Sequence, residues 1–247
     1  MPAYGGGKAR LGKEILSVIE KYEDKLDWDG DYFEPFCGLL GVGIHVAKSG
    51  RRVIACDANK DLILMWKALK RGWTPPKSCS KKYFEKLKIA KKHSAERGFV
   101  GFACAYSGIF FAGYRVKDAH GHNFFKRARD SILDMSDYLN KVQFLTSQDY
   151  RNFSPKGLTI YCDPPYKNNN FKSEHFSDFD HEEFWDTMRS WSKNNLVIIS
   201  EYNAPRDFKV IWTKKVNNTF GSHVKKQQEK LFIYKEFPRA TKSPSLK

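Results

Sequence analysis

The sequence lacks the features of a membrane-spanning or secreted protein. Its 247 residues contain no apolar run of about 18 residues, the length that a helix needs to cross a bilayer. Residues 1–8 hold no apolar signal-peptide core, so we expect an intracellular protein. Cysteine is scarce and no Cys-x-x-Cys pair occurs, which argues against a disulfide framework or a zinc site. We therefore predict reduced, mostly buried thiols at Cys37, Cys56, Cys79, Cys104 and Cys162.

Acidic residues are too few to balance the basic ones. Lys and Arg together number 43 and Asp and Glu 28, so the formal net charge is +15. A protein this basic usually binds a polyanion, with nucleic acid the first candidate and an anionic membrane surface the second. The chain has no basic amphipathic helix with a clean apolar face, which argues against the membrane surface.

Two familiar phosphate-binding patterns are incomplete. Residues 5–8, Gly-Gly-Gly-Lys, resemble a P-loop but lack the preceding strand and the following Ser or Thr, which excludes that kind of NTPase site. The glycine-rich residues 36–43 do not have the Gly-x-Gly-x-x-Gly spacing that cradles a pyrophosphate. His120 and His122 are an isolated pair in a Gly-containing loop, so we expect solvated side chains and no metal site.

The apolar pattern alternates between helix and strand periods. Residues 11–26 have helical spacing, and residues 60–140 are mainly helical and rich in Lys, Arg and aromatic side chains. Strand-like segments alternating with helices predict a doubly wound α/β sheet. The last two segments lie too close for a crossover helix, so we expect an antiparallel hairpin at a sheet edge. The seven segments are residues 31–36, 52–57, 142–147, 158–162, 196–200, 208–212 and 230–234.

The first two strands end in residues suited to a nucleotide-like cofactor. Strand 31–36 runs into a turn that contains Gly38, Gly41 and Gly43, and glycine lets a backbone approach a ligand closely. Strand 52–57 ends in Asp57, which is placed to accept hydrogen bonds from a ribose diol. This pattern alone fits NAD, FAD or S-adenosylmethionine.

Asp163-Pro164-Pro165-Tyr166 directly follows the apolar strand 158–162 and resembles the catalytic motif of amino-methyltransferases that act on DNA bases. Over residues 1–237 the chain resembles the Dam-like (D12) class of adenine-N6 DNA methyltransferases. Further pieces in the order of that family are residues 4–8, 34–38, Asp57, residues 148–150 and residues 217–234.

The resemblance implies a mostly parallel seven-stranded methyltransferase sheet with an antiparallel edge hairpin and an inserted, mainly helical subdomain. Residues 1–59 and 141–237 would form the catalytic domain, 60–140 the target-recognition insertion and 238–247 a flexible tail. The implied cofactor is S-adenosylmethionine, which leaves as S-adenosylhomocysteine. Its predicted binding residues are Tyr4, Lys8, Glu34, Phe36, Gly38, Gly41, Asp57, Asp149, Tyr150 and Asp163.

The four residues Asp163–Tyr166, called here the tetrad, also imply a mechanism. An adenine amino group is a poor nucleophile, and we expect the Asp163 carboxylate and the Pro164 carbonyl to accept its two N–H groups. Proline fixes φ, so Pro164 holds its own carbonyl in place. Pro165, the next residue of the motif, is also predicted to belong to the catalytic site. The target base must leave the duplex, and Tyr166 is the expected stacking platform. In the insertion, the predicted DNA contacts are Tyr106, Ser107, Tyr114, Arg115, Lys117, Lys126, Arg127 and Arg129.

Two departures and several alternatives stay open. The family usually has glycine where this chain has Leu40, and Gly-Thr where this chain has residues 167–170. The same tetrad also serves N4-methylation of cytosine or N6-methylation of RNA adenine, and a catalytically silent DNA-binding relative is a third reading. The expected partner is double-stranded DNA, and the resemblance also allows a cognate restriction endonuclease.

Overall fold

The structure is a computed structural model that describes residues 8–117, 120–167, 179–220 and 223–236. Within these ranges, the structure describes only the backbone of Ser107 and of residues 217–220 and 223–226. The predictions for Tyr4, for the departure at residues 168–170 and for the flexible tail at 238–247 therefore lie outside the described residues.

Seven strands form one mixed sheet, as the sequence predicts. The strands are β1 Tyr32–Glu34, β2 Val53–Ala55, β3 Val142–Phe144, β4 Thr159–Cys162, β5 Leu196–Glu201, β6 Phe208–Phe220 and β7 His223–Tyr234. Their order is β3-β2-β1-β4-β5-β7-β6. Strands β1 to β5 pair in parallel, whereas β7 is antiparallel to both β5 and β6. The predicted doubly wound fold and its antiparallel edge hairpin are confirmed.

Helices cover both faces of the sheet. They are α1 Gly12–Leu26, α2 Gly43–Lys48, α3 Lys60–Lys70, α4 Lys81–Ile89, α5 Ala95–Ala103, α6 Phe124–Leu133 and α7 His181–Trp191. Side-chain caps fix where several begin, because an oxygen of Asn59, Ser80, Ser94, Asn123 or Asp180 accepts a first-turn N–H. No helix among the described residues is long and apolar enough to cross a membrane.

Strand residues alternate between two hydrophobic cores. Tyr32 of β1 and Tyr161 of β4 point into the core shared by α1 to α6, whereas Phe33 and Cys162 point toward the core covered by α7. The first core is continuous from α1 and α2 through the helices at 60–133. The division into a catalytic domain and an insertion at residues 60–140 therefore stays a prediction.

The direction of chain winding reverses between β1 and β4. From β1 the chain proceeds to β2 and β3 on one side, and then returns to β4 and β5 on the other. In open α/β sheets, ligands bind outside the carboxyl ends of the strands at such a switch point. The turn after β1 and the tetrad after β4 both lie there.

The strands of the edge hairpin are longer than the apolar segments 208–212 and 230–234 predict, and they include residues 217–220 and 223–234 of the closing hairpin that the resemblance implies. β6 and β7 pair without interruption out to Phe220 and His223, apart from an irregularity between Val210 and Trp212. Only residues 230–232 of β7 pair with β5, so the part before residue 230 extends beyond the carboxyl end of β5. The hairpin thus rises past the edge where the tetrad lies.

Candidate active site

The Asp163 carboxylate lies directly after β4 and contacts an ammonium group. Its Oδ1 is 2.9 Å from Lys8 Nζ, with side-chain exposures of 17% for Asp163 and 4% for Lys8. Burial raises the pKa of Asp163, and the Lys8 ammonium opposes that shift. Burial lowers the pKa of Lys8, but Asp163 and Glu229 together raise it by more, so Lys8 remains charged.

The Tyr166 ring is held from several sides. Its hydroxyl shares a hydrogen bond of 2.7 Å with Ser200 Oγ and donates to Glu229 Oε2 at 3.0 Å. The ring meets Tyr202 edge-on with centroids 4.5 Å apart, and Lys8 Nζ lies 4.5 Å from the Tyr166 centroid. The tetrad therefore presents an aromatic ring in a fixed position beside the Asp163 carboxylate.

Sequence reasoning missed two buried glutamates at this site. Glu229 of β7 accepts from Tyr166 and lies 3.6 Å from Lys8 Nζ. Glu201, the last residue of β5, accepts from the Lys167 N–H (3.0 Å) and the Tyr202 N–H (2.6 Å). An acid that ends an apolar strand is the signal that identified Asp57, and it applies equally to Glu201. No apolar alternation marks the strand around Glu229.

The structure brings the turn at residues 38–43, called here the glycine turn, together with Asp57, the acid after β2. The Gly38 N–H donates to Asp57 Oδ2, and the Asn59 N–H donates to Asp57 Oδ1, both at 2.9 Å. Trp66 Nε1 donates to the Gly38 carbonyl at 3.0 Å. Gly38 has φ 45°, a left-handed conformation that glycine adopts at little cost. One carboxylate thus fixes the path of the turn.

Leu40, the departure from the family pattern, also adopts a left-handed conformation. Its φ is 55° and its side chain is fully buried. The Leu40 N–H donates to the Cys37 carbonyl, so the turn closes although a side chain occupies the position where the family usually has glycine. This conformation costs an ordinary residue about 1–2 kcal/mol, and burial of the leucine side chain offsets that cost.

Glu34, the last residue of β1, lies under the glycine turn. Its Oε2 accepts the Gly43 N–H at 3.0 Å, and a Cβ at Gly43 would lie 2.3 Å from the same oxygen. Burial raises the pKa of Glu34 well above its usual range, and the Asp163 and Asp57 carboxylates add to the shift. The absence of a side chain at Gly43 is therefore what admits Glu34.

The backbone around Lys8 packs directly on the glycine turn. A Cβ at Gly41 would lie 3.2 Å from backbone atoms of Lys8 and Ala9, and a Cβ at Gly12 would lie 2.0 Å from the Gly41 carbonyl oxygen. This close approach places Lys8, from the segment before α1, against Asp163 after β4.

Phe36 and Tyr150 lie side by side at the same edge. Their ring centroids are 5.1 Å apart, and both rings contact Phe184 of α7. Asp149 accepts from Arg151 Nε at 2.7 Å and from the Arg151 N–H at 2.9 Å. Burial raises the pKa of Asp149, but Arg151 lowers it by more, so the net shift is downward. A contact of these residues with the cofactor adenine stays a prediction.

Residues 106–115, which resemble the DNA-reading segment of the family, differ in exposure along their length. Tyr106 is 50% exposed, and the Arg115 guanidinium lies 5.2 Å from the Tyr106 ring and 4.5 Å from the Phe124 ring. Tyr114 donates its hydroxyl to the Cys79 carbonyl at 2.7 Å, so its polar end already has a partner inside the protein.

The remaining predicted contacts lie on or near α6. Lys117 and Arg127 are exposed. Lys126 pairs with Asp130 at 2.6 Å, and Arg129 donates to the Pro75 carbonyl at 3.0 Å. The side chain of Ser107 lies outside the described residues. A DNA contact by any of these residues stays a prediction.

The charges at the switch point suit a cationic cofactor. The Asp57 and Asp163 carboxylates are close enough to Glu34 to raise its pKa, and the Lys8 ammonium pairs with Asp163. S-adenosylmethionine carries a sulfonium and an ammonium group, so the residues present fit it. Among the described residues, no group of three or more His, Cys, Asp or Glu side chains could hold a metal ion. The His120 and His122 ring centroids are 6.2 Å apart.

Comparison with solved structures finds methyltransferases of low similarity. The magnesium protoporphyrin IX methyltransferase of Synechocystis PCC 6803 with bound SAM is 13% identical, with a TM-score of 0.39, over 90% of this chain and 79% of that one. The glycopeptide N-methyltransferase MtfA complexed with S-adenosyl-L-methionine is 9% identical, with a TM-score of 0.32, over 95% and 78%. These values are too low to transfer a ligand or a substrate. No curated protein matches the chain significantly.

A family model gives the more specific match. The model of D12 class N6 adenine-specific DNA methyltransferases matches residues 4–102, which include Lys8, the glycine turn and Asp57. The tetrad after β4 lies outside the matched range but has the sequence and position that the resemblance requires. The predicted resemblance to the D12 class N6 adenine-specific DNA methyltransferases, and with it the predicted methyltransferase class, is thereby confirmed over residues 4–102.

Proposed function

We propose that this protein methylates N6 of adenine in double-stranded DNA, with S-adenosylmethionine as the methyl donor and with the target base flipped out of the helix. The observation that carries the proposal is the Asp163–Tyr166 segment at the switch point, beside the cofactor turn of the matched family. The cofactor supplies an electrophilic methyl group and leaves as S-adenosylhomocysteine.

Asp163 and Pro164 prepare the nucleophile. The lone pair of the adenine amino group is delocalised into the ring, so the nitrogen attacks only when its geometry becomes more tetrahedral. The Asp163 carboxylate accepts one N–H and the Pro164 carbonyl accepts the other, which stabilises the positive charge that grows on nitrogen. Alignment of nitrogen and methyl group supplies much of the remaining acceleration. The nitrogen then loses a proton, for which the Asp163 carboxylate is the adjacent acceptor.

Lys8 occupies the position that this mechanism assigns to the target adenine. Its ammonium lies 2.9 Å from Asp163 Oδ1 and 4.5 Å from the Tyr166 centroid, where an amino group and a stacked ring belong. The incoming adenine therefore displaces Lys8 from Asp163. Glu229, 3.6 Å from Lys8 Nζ, keeps the displaced ammonium paired and close enough to Asp163 to stabilise its carboxylate.

Tyr166 offsets part of the cost of base flipping. Extrusion of a base from the duplex costs a few kcal/mol, and stacking on an aromatic side chain returns about 1–3 kcal/mol. Ser200, Glu229 and Tyr202 hold the Tyr166 ring before the base arrives, so little side-chain entropy is lost on stacking.

In this proposal the glycine turn and Asp57 would hold the cofactor. The Asp57 carboxylate would accept hydrogen bonds from the ribose hydroxyls, and the Asp163 carboxylate would add negative potential for the sulfonium and the ammonium group. Phe36 and Tyr150 would offer apolar faces to the adenine ring of the cofactor.

Methyl-tritiated S-adenosylmethionine tests the proposal. The purified protein is incubated with unmethylated DNA or with RNA, each is digested to nucleosides, and the labelled nucleoside is identified. We expect label in N6-methyldeoxyadenosine. Label in N4-methylcytosine or in RNA would retain the mechanism and overturn the substrate. Binding of both cofactor and DNA without any transfer would favour a silent DNA-binding relative. A cognate restriction endonuclease rests on the resemblance alone.

A further inference from the structure

Helix α4 and the loop after it carry a dense group of lysines that the proposed mechanism does not use. Its six members are exposed, and Glu85 is the one acid within residues 81–92. None of the six forms an ion pair with another described residue, whereas Lys126 of α6 is paired with Asp130. This group, called here the lysine face, consists of Lys81, Lys82, Lys86, Lys88, Lys91 and Lys92.

The lysine face lies opposite the buried side of α4. Phe84 and Leu87 pack into the core, with exposures of 0% and 8%. At 100° per residue, the helical lysines fall on the remaining surface. Ile89 lies in the middle of that surface and is 80% exposed. An aliphatic side chain surrounded by lysines can pack against a sugar while the ammonium groups reach phosphates.

The buried side of α4 contacts the predicted DNA-reading segment directly. The Phe84 ring lies 5.1 Å from the Phe111 ring and 5.5 Å from the Tyr114 ring, measured between centroids. The lysine face is therefore joined through one layer of aromatic side chains to residues that we expect to approach DNA.

Arg97 of α5 fixes the end of α4. Its guanidinium donates to the carbonyls of Leu87, Lys88 and Ala90. The same guanidinium donates from Nε to Asp61 Oδ2 at 3.0 Å, and this carboxylate is 3% exposed. The lysines thus sit on a rigid support, so binding a phosphate backbone costs little ordering of the main chain.

We propose that the lysine face binds the phosphate backbone of the DNA substrate beside the methylated site, outside the residues assigned from the sequence. The proposal rests on the proposed function. A helix of nine residues is about 13 Å long, which spans roughly four steps of 3.4 Å along one strand. Lysine ammoniums are compact charges without the planar fork that reads base edges, so these contacts hold DNA without sequence preference.

Salt dependence measures such contacts directly. The variant K82Q/K86Q/K88Q is compared with wild type for binding to short duplexes of two unrelated sequences between 50 and 200 mM salt, a range in which about half a decade of affinity is lost per contact. Each phosphate contact contributes about 0.9 to the slope of log affinity against log salt, so we expect the slope to fall by about 3. Binding to both sequences should weaken equally.

Three lysines near the amino ends of parallel strands, on the opposite side of the sheet from the tetrad, provide the matched control. Lys25, Lys156 and Lys193 are exposed and precede the amino ends of β1, β4 and β5. K25Q/K156Q/K193Q removes the same charge and should leave the slope within about 0.5 of wild type. Thermal unfolding verifies that both variants are folded.

The outcomes separate this inference from the proposed function. If the wild type binds and methylates DNA and both triple variants alter the slope equally, only net charge matters and the lysine face is overturned. An unchanged slope for K82Q/K86Q/K88Q overturns it as well. If the wild type binds no DNA, the proposed function fails, and the inference fails with it.

Discussion

At the scale of single residues, the site depends on one buried pair of opposite charges. Burial raises the pKa of Asp163 and so disfavours its charged form, which accepts hydrogen bonds more strongly than a neutral carboxyl group does. Lys8 contributes the compensating charge and is held in turn by Glu229. The carboxylate that the mechanism needs is therefore maintained by residues from three separate parts of the chain.

Lys8→Gln should move the pH dependence of methyl transfer upward. Removal of the ammonium takes away the interaction that lowers the pKa of Asp163, so that pKa rises further above its ordinary value. Because the ionised form is active, the rate is lost at the lower end of the pH range and recovers as pH increases. Single-turnover rates across pH measure this shift, with Lys25→Gln as the control. A lower limb that stays in place would contradict it.

Glu34→Gln should change how stability depends on pH. The folded-state pKa of Glu34 is raised, so the wild type loses stability as pH rises from the unfolded-state pKa through the folded one. The variant cannot ionise and keeps an oxygen to accept the Gly43 N–H. The free energy of unfolding of the variant relative to wild type should therefore increase by about 1.4 kcal/mol per pH unit between those two pKa values.

Denaturant unfolding of wild type and Glu34→Gln over a pH series measures this difference. Below the unfolded-state pKa the two proteins should respond to pH in the same way. A parallel pH dependence throughout would mean that Glu34 stays ionised in the folded protein.

Some of these site residues could be predicted from the sequence, whereas others could not. Asp57 and Asp163 could be predicted because each follows a short apolar strand, and parallel strands of a doubly wound sheet end at the same edge. Glu229 could not, because its role arises from pairing between strands that are distant in sequence. The left-handed φ of Leu40 was equally unpredictable, since leucine rarely adopts it and tertiary packing imposes it here.

At the scale of elements, the contact between the start of α1 and the glycine turn positions Lys8. Gly12→Ala should destabilise the protein by about 1–3 kcal/mol, because its Cβ would meet the Gly41 carbonyl oxygen at 2.0 Å and backbone must move. Gly113→Ala is the control, since its Cβ would meet only Tyr106, at 4.0 Å. We expect less than about 1 kcal/mol there, in either direction.

Equilibrium unfolding of both glycine variants provides the measurement, and cofactor affinity is a second readout. Displacement of the α1 start should weaken cofactor binding in Gly12→Ala alone. Equal stability of the two variants would show that the close approach at Gly12 relaxes without cost.

The edge hairpin shows where element prediction fails. Residues 208–212 and 230–234 were recognised because apolar side chains there pack on the sheet. The continuation to Phe220 and His223 is paired only within the hairpin and includes Lys214, Lys215 and Gln228, so burial leaves no period-two pattern to recognise. The apolar pattern thus misses the part of the hairpin that reaches the candidate site, and only the family resemblance over residues 217–234 indicates it.

At the scale of the whole molecule, charge of opposite sign is separated in space. Acidic side chains gather at the switch point, whereas the chain as a whole carries a formal charge of +15. An acidic interior site suits a cationic methyl donor, and a basic exterior suits a polyanionic substrate.

The proposed function depends on activation of an adenine amino group by Asp163. The most direct test is single-turnover transfer of tritiated methyl from saturating S-adenosylmethionine to duplex DNA, with wild type and Asp163→Asn side by side. We expect N6-methyldeoxyadenosine from wild type and a rate lower by about 10²–10³ or more in the folded variant, which lacks the charged acceptor. Equal rates, or a labelled product other than N6-methyldeoxyadenosine, would contradict it.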